Sequence, residues 1–146
     1  MIPYIWNSKI VTFDTRDITG KAINKYIACP ADREEIPRKS ILYGIPEKWG
    51  KTGICVEGCT DVWRMGQYSF STSGIKYTPQ QVRIIAKSFK RVAVCFDPEP
   101  QAIVQANKLI AELKFRKIDA FRVDLLSKDP GDLSDSEAQY IVQQII

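Results

Sequence analysis

The chain has 146 residues, the size of one ordinary domain, and its 45% hydrophobic and 26% charged residues are the balance of a globular protein that buries a core without disulfides or structural metal. No apolar stretch approaches the roughly 20 residues that cross a bilayer, and Met1-Ile2-Pro3-Tyr4-Ile5-Trp6 lacks the basic and long apolar regions of a secretory signal, so a cytoplasmic location and no membrane partner are expected. The four cysteines form no C-x-x-C pair and there is no histidine, which argues against any zinc in this chain and leaves chemistry near neutral pH to carboxylates and metal-bound water.

In chain order, Lys9-Ile10-Val11-Thr12-Phe13 predicts a short strand, and Asp17-Ile18-Thr19-Gly20-Lys21 a turn into a second strand over residues 22–27. The chain therefore opens on a small β-rich lobe. Residues 30–40 are charged, hold two prolines and lack periodicity, which predicts a loop or linker. Residues 53–56 then read as a buried strand. Thr60 is placed to cap a short helix over 61–65 that ends at Gly66, and residues 68–72 form a further strand.

Thr78, Pro79 and Gln81 make a helix start of capping-box type, with Val82, Ile84, Ile85 and Phe89 as its apolar stripe to about residue 90. Residues 92–96 are wholly apolar, as in a parallel sheet, and a helix over about 101–116 puts Ile103, Ala106, Leu109, Ile110 and Leu113 on one face. Residues 118–126 read as an edge strand with a wet face, and 128–132 as a turn. Ser134 with Glu137 opens a last helix carrying Tyr140, Ile141, Ile145 and Ile146. Its apolar end either docks on the sheet or continues into a longer chain. Cys55 and Cys95 fall inside the buried strands as core hydrophobes. The expected class is α/β, a mostly parallel sheet of about four strands flanked by helices.

Functional residues of an open parallel sheet gather at the carboxyl ends of its strands. Glu57 with Asp61, Asp97 with Glu99, and Asp129 all fall there. One acid after a strand is ordinarily a cap or turn former, but three strand ends that converge point to a shared divalent cation, Mg²⁺ or Mn²⁺, with positions open to water and phosphate. Removing those five negative charges from the net +4 leaves +9. A basic surface around an acidic pocket suits a polyanion that brings its own phosphates.

Val56-Glu57-Gly58 with Asp61-Val62, Phe96-Asp97-x-Glu99, and Lys128-Asp129-Pro130-x-Asp132-Leu133 resemble the motifs of a Toprim domain, the Rossmann-like domain shared by bacterial-type primases, topoisomerases and some nucleases. Ser73-Gly74 and Thr78-Pro79-Gln80-Gln81 are similar to signals that primases place between the first two acidic motifs. Upstream, Phe13-x-x-Arg16, Lys25-Tyr26 with Pro30, and Leu42-Tyr43-Gly44 resemble the primase lead-in to that domain. The resemblance implies residues 1–40 as a partial primase-like N-terminal lobe and linker, and residues 41–146 as the Toprim domain. It implies catalytic roles for Glu57, Asp97 and Glu99, and metal ligation by Glu57, Asp61, Asp97, Glu99 and Asp129. Arg16, Lys25 and Arg38 are implied contacts to DNA or nucleotide. The implied partners are a single-stranded DNA template, nucleoside triphosphates and a replicative helicase, in the nucleoid or a viral replisome.

Two departures stand out. Family members carry Asp and a small Ala-Gly pair where this chain has Glu99 and then Pro100-Gln101-Ala102, and the longer arm displaces a ligand of an ion that demands near-octahedral geometry. No zinc-binding template reader and no complete N-terminal lobe are visible, which points to a fragment or a phage-like variant. Two alternatives stay open on the residues alone. One is a Toprim-type nuclease using the same acids. The other is a non-catalytic nucleic-acid-binding module that docks through Arg83, Lys87 and Lys90, or Lys114, Arg116 and Lys117.

Overall fold

A computed structural model describes residues 1–125 and 129–146. The N-terminal sheet is antiparallel, with strands β1 (Ile2–Trp6), β2 (Lys9–Arg16) and β3 (Tyr26–Ala28) in that order. Strand β1 has no counterpart in the sequence expectation because Pro3 interrupts its pattern. At the edge of a sheet proline is tolerated, and Pro3 pairs there with Phe13. Asn7 and Ser8, both with positive φ (49° and 60°), make the two-residue turn whose twist suits a hairpin. Ile2, Tyr4 and Val11 are buried, Tyr4 and Val11 against Ile41. β3 starts later than expected, since Asp17 organises a turn: its Oδ1 accepts from the Thr19 N–H and hydroxyl, and its Oδ2 from the Ala22 N–H. Residues 30–40 form a connection containing two short 3-10 turns, Ala31–Arg33 and Arg38–Ser40.

The larger sheet holds β4 (Tyr43–Gly44), β5 (Thr52–Val56), β6 (Ser69–Ser71), β7 (Arg91–Val94) and β8 (Asp119–Arg122), ordered β4-β6-β5-β7-β8. All pairs are parallel except β4 with β6. Among the described residues this sheet has five strands instead of about four, because β4 is two residues long and ends on glycine. β8 is the expected edge strand but stops at Arg122. Leu126 and Lys128, which the sequence placed in that strand and in the following turn, lie outside the described residues.

Among the described residues four helices connect or cover the strands: α1 (Cys59–Met65), α2 (Pro79–Ser88), α3 (Pro100–Phe115) and α4 (Asp135–Ile145). From β5 the chain moves through α1 to β6 on one side, then crosses back through α2 to β7 on the other. Right-handed crossovers in opposite directions must lie on opposite faces, and the core divides accordingly. Val82, Ile85 and Phe89 of α2 and its C-cap pack with Leu109 and Leu113 of α3 over Cys55, Val92 and Val94. Val62 and Met65 of α1 pack with Ala138 and Ile145 of α4 over Ile54, Val56 and Ala93. Ile145 is thus docked. Both capping boxes form, with Gln81 N–H on Thr78 Oγ1 at 3.2 Å and Glu137 N–H on Ser134 Oγ at 3.3 Å. The α1 cap differs from expectation. Gly58, in extended conformation, precedes the helix, Thr60 lies inside it, and the Asp61 carboxylate takes the Gly58 N–H at 2.8 Å.

Candidate functional site

The chain leaves adjacent strands β5 and β7 in opposite directions, so their carboxyl ends part into a crevice, the usual ligand position in an open α/β sheet. Glu57 follows β5 directly and Asp97 follows β7, and the Asp97 N–H donates to Glu57 Oε1 at 2.9 Å. Asp61, on the first turn of α1, is only 6% exposed. Asp129 caps a 3-10 turn, Pro130–Asp132, and its Oδ1 accepts the Gly131 N–H at 2.8 Å. A Cβ at position 131 would stand 3.0 Å from Asp61 Oδ1 and 3.4 Å from Asp129 Oδ1. Glycine there lets the turn close onto α1 and brings the two carboxyl groups together. Glu99 is different: it precedes α3 with an exposed side chain that makes no cap bond, and lies at the rim.

Gathering these acids has an electrostatic cost. Burial, then the charges of Asp97, Asp129 and Glu99, push the Glu57 carboxyl up to about 7 against the pull of the Asp97 N–H. Burial, then Asp129, Glu99 and Asp132, push Asp97 up to about 6. Asp61 is also raised, by burial and by the neighbouring Asp129 and Asp97 carboxylates. Asp97 Oδ1 is buried and accepts no hydrogen bond among the described residues. Among the described residues no three acidic or thiol side chains stand close enough together to chelate one ion as they are. A hard cation of the Mg²⁺ type still fits, since it binds through one or two carboxylates, keeps several waters and prefers oxygen donors. The cysteines take no part in such a set: all four are free and buried, and burial raises the thiols of Cys55, Cys59 and Cys95.

A cleft of about 870 Å³ joins the acids to the N-terminal sheet, and Arg16, Lys25 and Arg38 line it together with Glu57, Asp61, Asp97 and Asp129. The sequence-predicted acids and bases therefore share one cavity, with Glu99 outside its lining. Arg38 is ion-paired to Asp14 at 2.6 Å, and the Arg16 guanidinium lies 5.3 Å above the Tyr26 ring. Arg83, Lys87, Lys90, Lys114, Arg116 and Lys117 are exposed on or just beyond α2 and α3, and none lines the cleft.

Sequence reasoning missed the residues that brace the site. Lys39 Nζ donates to the carbonyls of Thr72, Ser73 and Lys76 at 3.0, 2.8 and 2.7 Å, and the Gly74 N–H donates to the Glu57 carbonyl at 2.8 Å. Burial, then the neighbouring Arg38 charge, lowers the Lys39 pKa. Gln81 Nε2 reaches the carbonyls of Ile41 and Thr72 at 2.9 and 3.1 Å. Its capping role is readable from Thr78, but these long-range bonds leave no local signal.

No protein-family model and no curated protein matches the chain. Solved structures do match its fold. The zinc-binding and RNA polymerase domains of the Aquifex aeolicus primase superpose with a TM-score of 0.80 at 20% identity, over 98% of this chain and 39% of that one. A DnaG primase catalytic domain bound to single-stranded DNA gives 0.80 at 17% identity, over 99% and 50%. The primase fragment of a bacteriophage primase-helicase gives 0.72 at 16%, over 98% and 60%. The fold is that of primase catalytic cores, and the chain spans between 39% and 60% of the length of these three structures.

Proposed function

We propose that the chain is the catalytic portion of a DNA primase, joining ribonucleotides on a single-stranded DNA template by metal-dependent nucleotidyl transfer. The observation that carries this reading is the contact between Glu57 and Asp97 across the parting strands, 2.9 Å from N–H to Oε1, in a cleft also lined by Arg16, Lys25 and Arg38. Two of the similar structures support the partners: one is bound to single-stranded DNA, and one belongs to a primase-helicase. Template, nucleoside triphosphates and a replicative helicase follow as the proposed set.

Asp97, whose Oδ1 has no other partner among the described residues, and Asp129 would hold Mg²⁺ or Mn²⁺, with Asp61, Glu57 and Glu99 contributing direct or water-mediated contacts. A bound ion supplies neutralisation of the triphosphate and of the charge that develops during transfer. Glu57, lifted to about 7, is matched to receive the proton of the attacking hydroxyl on Oε2, the oxygen the Asp97 N–H leaves free. Arg16 offers a planar fork for phosphate and Lys25 a mobile point charge. The longer arm of Glu99 at the rim favours Mn²⁺ over the geometrically stricter Mg²⁺.

Incubation with a labelled triphosphate, a single-stranded template and Mn²⁺ should yield template-dependent dinucleotides. Glu57→Gln and Asp97→Asn should each remove them. Synthesis that survives in the double variant refutes the assignment, and shortening of a labelled strand in place of extension would transfer the site to nuclease chemistry.

A further inference from the structure

Trp63 lies on α1 two residues beyond Asp61, lines the same cleft, and is 58% exposed. Its indole N–H is already satisfied by the Tyr43 hydroxyl at 2.8 Å. Tyr43 packs edge-on against Tyr4 with centroids 4.8 Å apart, and the Tyr4 hydroxyl is bonded to Asp14 Oδ2 at 2.8 Å and Ser73 Oγ at 3.0 Å. The ring is therefore held in orientation while much of its apolar surface stays in water. Its hydrogen-bonding capacity is spent, so what it offers a ligand is a flat π surface. The N-terminal side of the cleft carries a second exposed ring, Tyr26.

From this geometry we infer that Trp63 is a stacking platform for a nucleobase entering the cleft, taking the base by its π face without reading its sequence. This rests on the nucleotidyl-transfer reading and deepens it. A pre-oriented aromatic loses little side-chain freedom on stacking, and base-aromatic stacking is largely indifferent to base identity. The base can belong to a strand or to a free nucleotide, and two probes separate these sources.

Binding is measured in EDTA, so that metal plays no part, using fluorescein-labelled oligothymidylate and, separately, a fluorescent ATP analogue. Trp63→Ala should weaken one of the two on the order of tenfold, with Trp63→Phe close to the unsubstituted chain. Quenching of intrinsic tryptophan emission by the unlabelled ligand should vanish in Trp63→Phe, since Trp6 and Trp49 lie outside the cleft lining. Weakening of the oligonucleotide alone assigns the platform to the strand, and weakening of the nucleotide alone assigns it to the substrate. Unchanged affinity of Trp63→Ala for both, or quenching that persists in Trp63→Phe, overturns the stacking role and leaves the nucleotidyl-transfer reading intact. No binding of either probe by the unsubstituted chain in EDTA overturns the stacking role, and its absence with Mn²⁺ as well overturns the nucleotidyl-transfer reading too.

Discussion

Raising the pH without divalent metal should destabilise this protein, and Glu57 should account for much of the effect. Its carboxyl moves from an ordinary 4.5 to about 7 on folding, and that of Asp97 from 3.8 to about 6. An acid that holds its proton more tightly when folded carries no penalty below its unfolded value and the whole penalty above its folded one. The window for Glu57 thus opens near pH 4.5 and closes above about 7. The difference of about 2.5 pH units (7 less 4.5) corresponds to roughly 3 kcal/mol at about 1.4 kcal/mol per unit. Glu57 is only partly buried, and solvent screening reduces this to about 1–2 kcal/mol. In a chain of 146 residues that moves the melting temperature by about 2–8 °C. Circular-dichroism melts in EDTA between about pH 5.5 and 8 should show the loss. Glu57→Gln should recover it at the upper pH, because the amide oxygen still accepts the Asp97 N–H. Mn²⁺ should stabilise the unsubstituted chain more at the upper pH, where protons compete less for the carboxylates. A melting temperature that climbs with pH, or an equal pH dependence in Glu57→Gln, would refute the reasoning.

Two substitutions test the frame behind the site. Gln81→Leu strips the Ile41 carbonyl and the Thr78 N–H of partners, while Thr72 keeps Lys39. One buried and one half-buried orphan predict a loss of about 2–4 kcal/mol, and a thermal midpoint equal to that of the unsubstituted chain would contradict it. Gly53→Ala forces a Cβ to within 2.6 Å of the Phe89 ring and 2.8 Å of Phe70, rings already stacked at 4.8 Å. Overpacking of that kind costs about 1–3 kcal/mol, visible as a lower urea midpoint, and an unmoved midpoint would sink the packing account.

Most of the larger sheet was legible because its signals are local. The apolar run ending at Phe96, the Thr78/Gln81 and Ser134/Glu137 caps, and the acids at 57, 97 and 129 all act within a few residues of their place in the chain. What escaped depends on partners far away. β1 reads poorly alone and becomes a strand only when β2 takes up its hydrogen bonds. β4 is defined by pairing with β6, from 26 to 28 residues further on. Gly58 replaced Thr60 as the residue before α1 because the carboxylate of Asp61 could reach its N–H, a geometric outcome that cap preferences do not anticipate. Lys39 looked like a solvated charge in a linker and Arg38 was implied only as a contact to DNA or nucleotide, yet one serves three carbonyls and the other Asp14.

Those two neighbours point to opposite duties. Arg38 fastens the turn to Asp14 of β2, and Lys39 fastens it to the segment after β6. The short 3-10 turn that carries them works as a two-sided buckle: deleting one residue ahead of it would put Lys39 in the place of Arg38, and adding one would put Arg38 in the place of Lys39. Length drift during evolution should therefore be barred at this turn and free in the solvent-facing bend around Gly20, so the fixed turn itself, and not its spacing from Asp14, is the mark by which distant relatives can be told from chance matches.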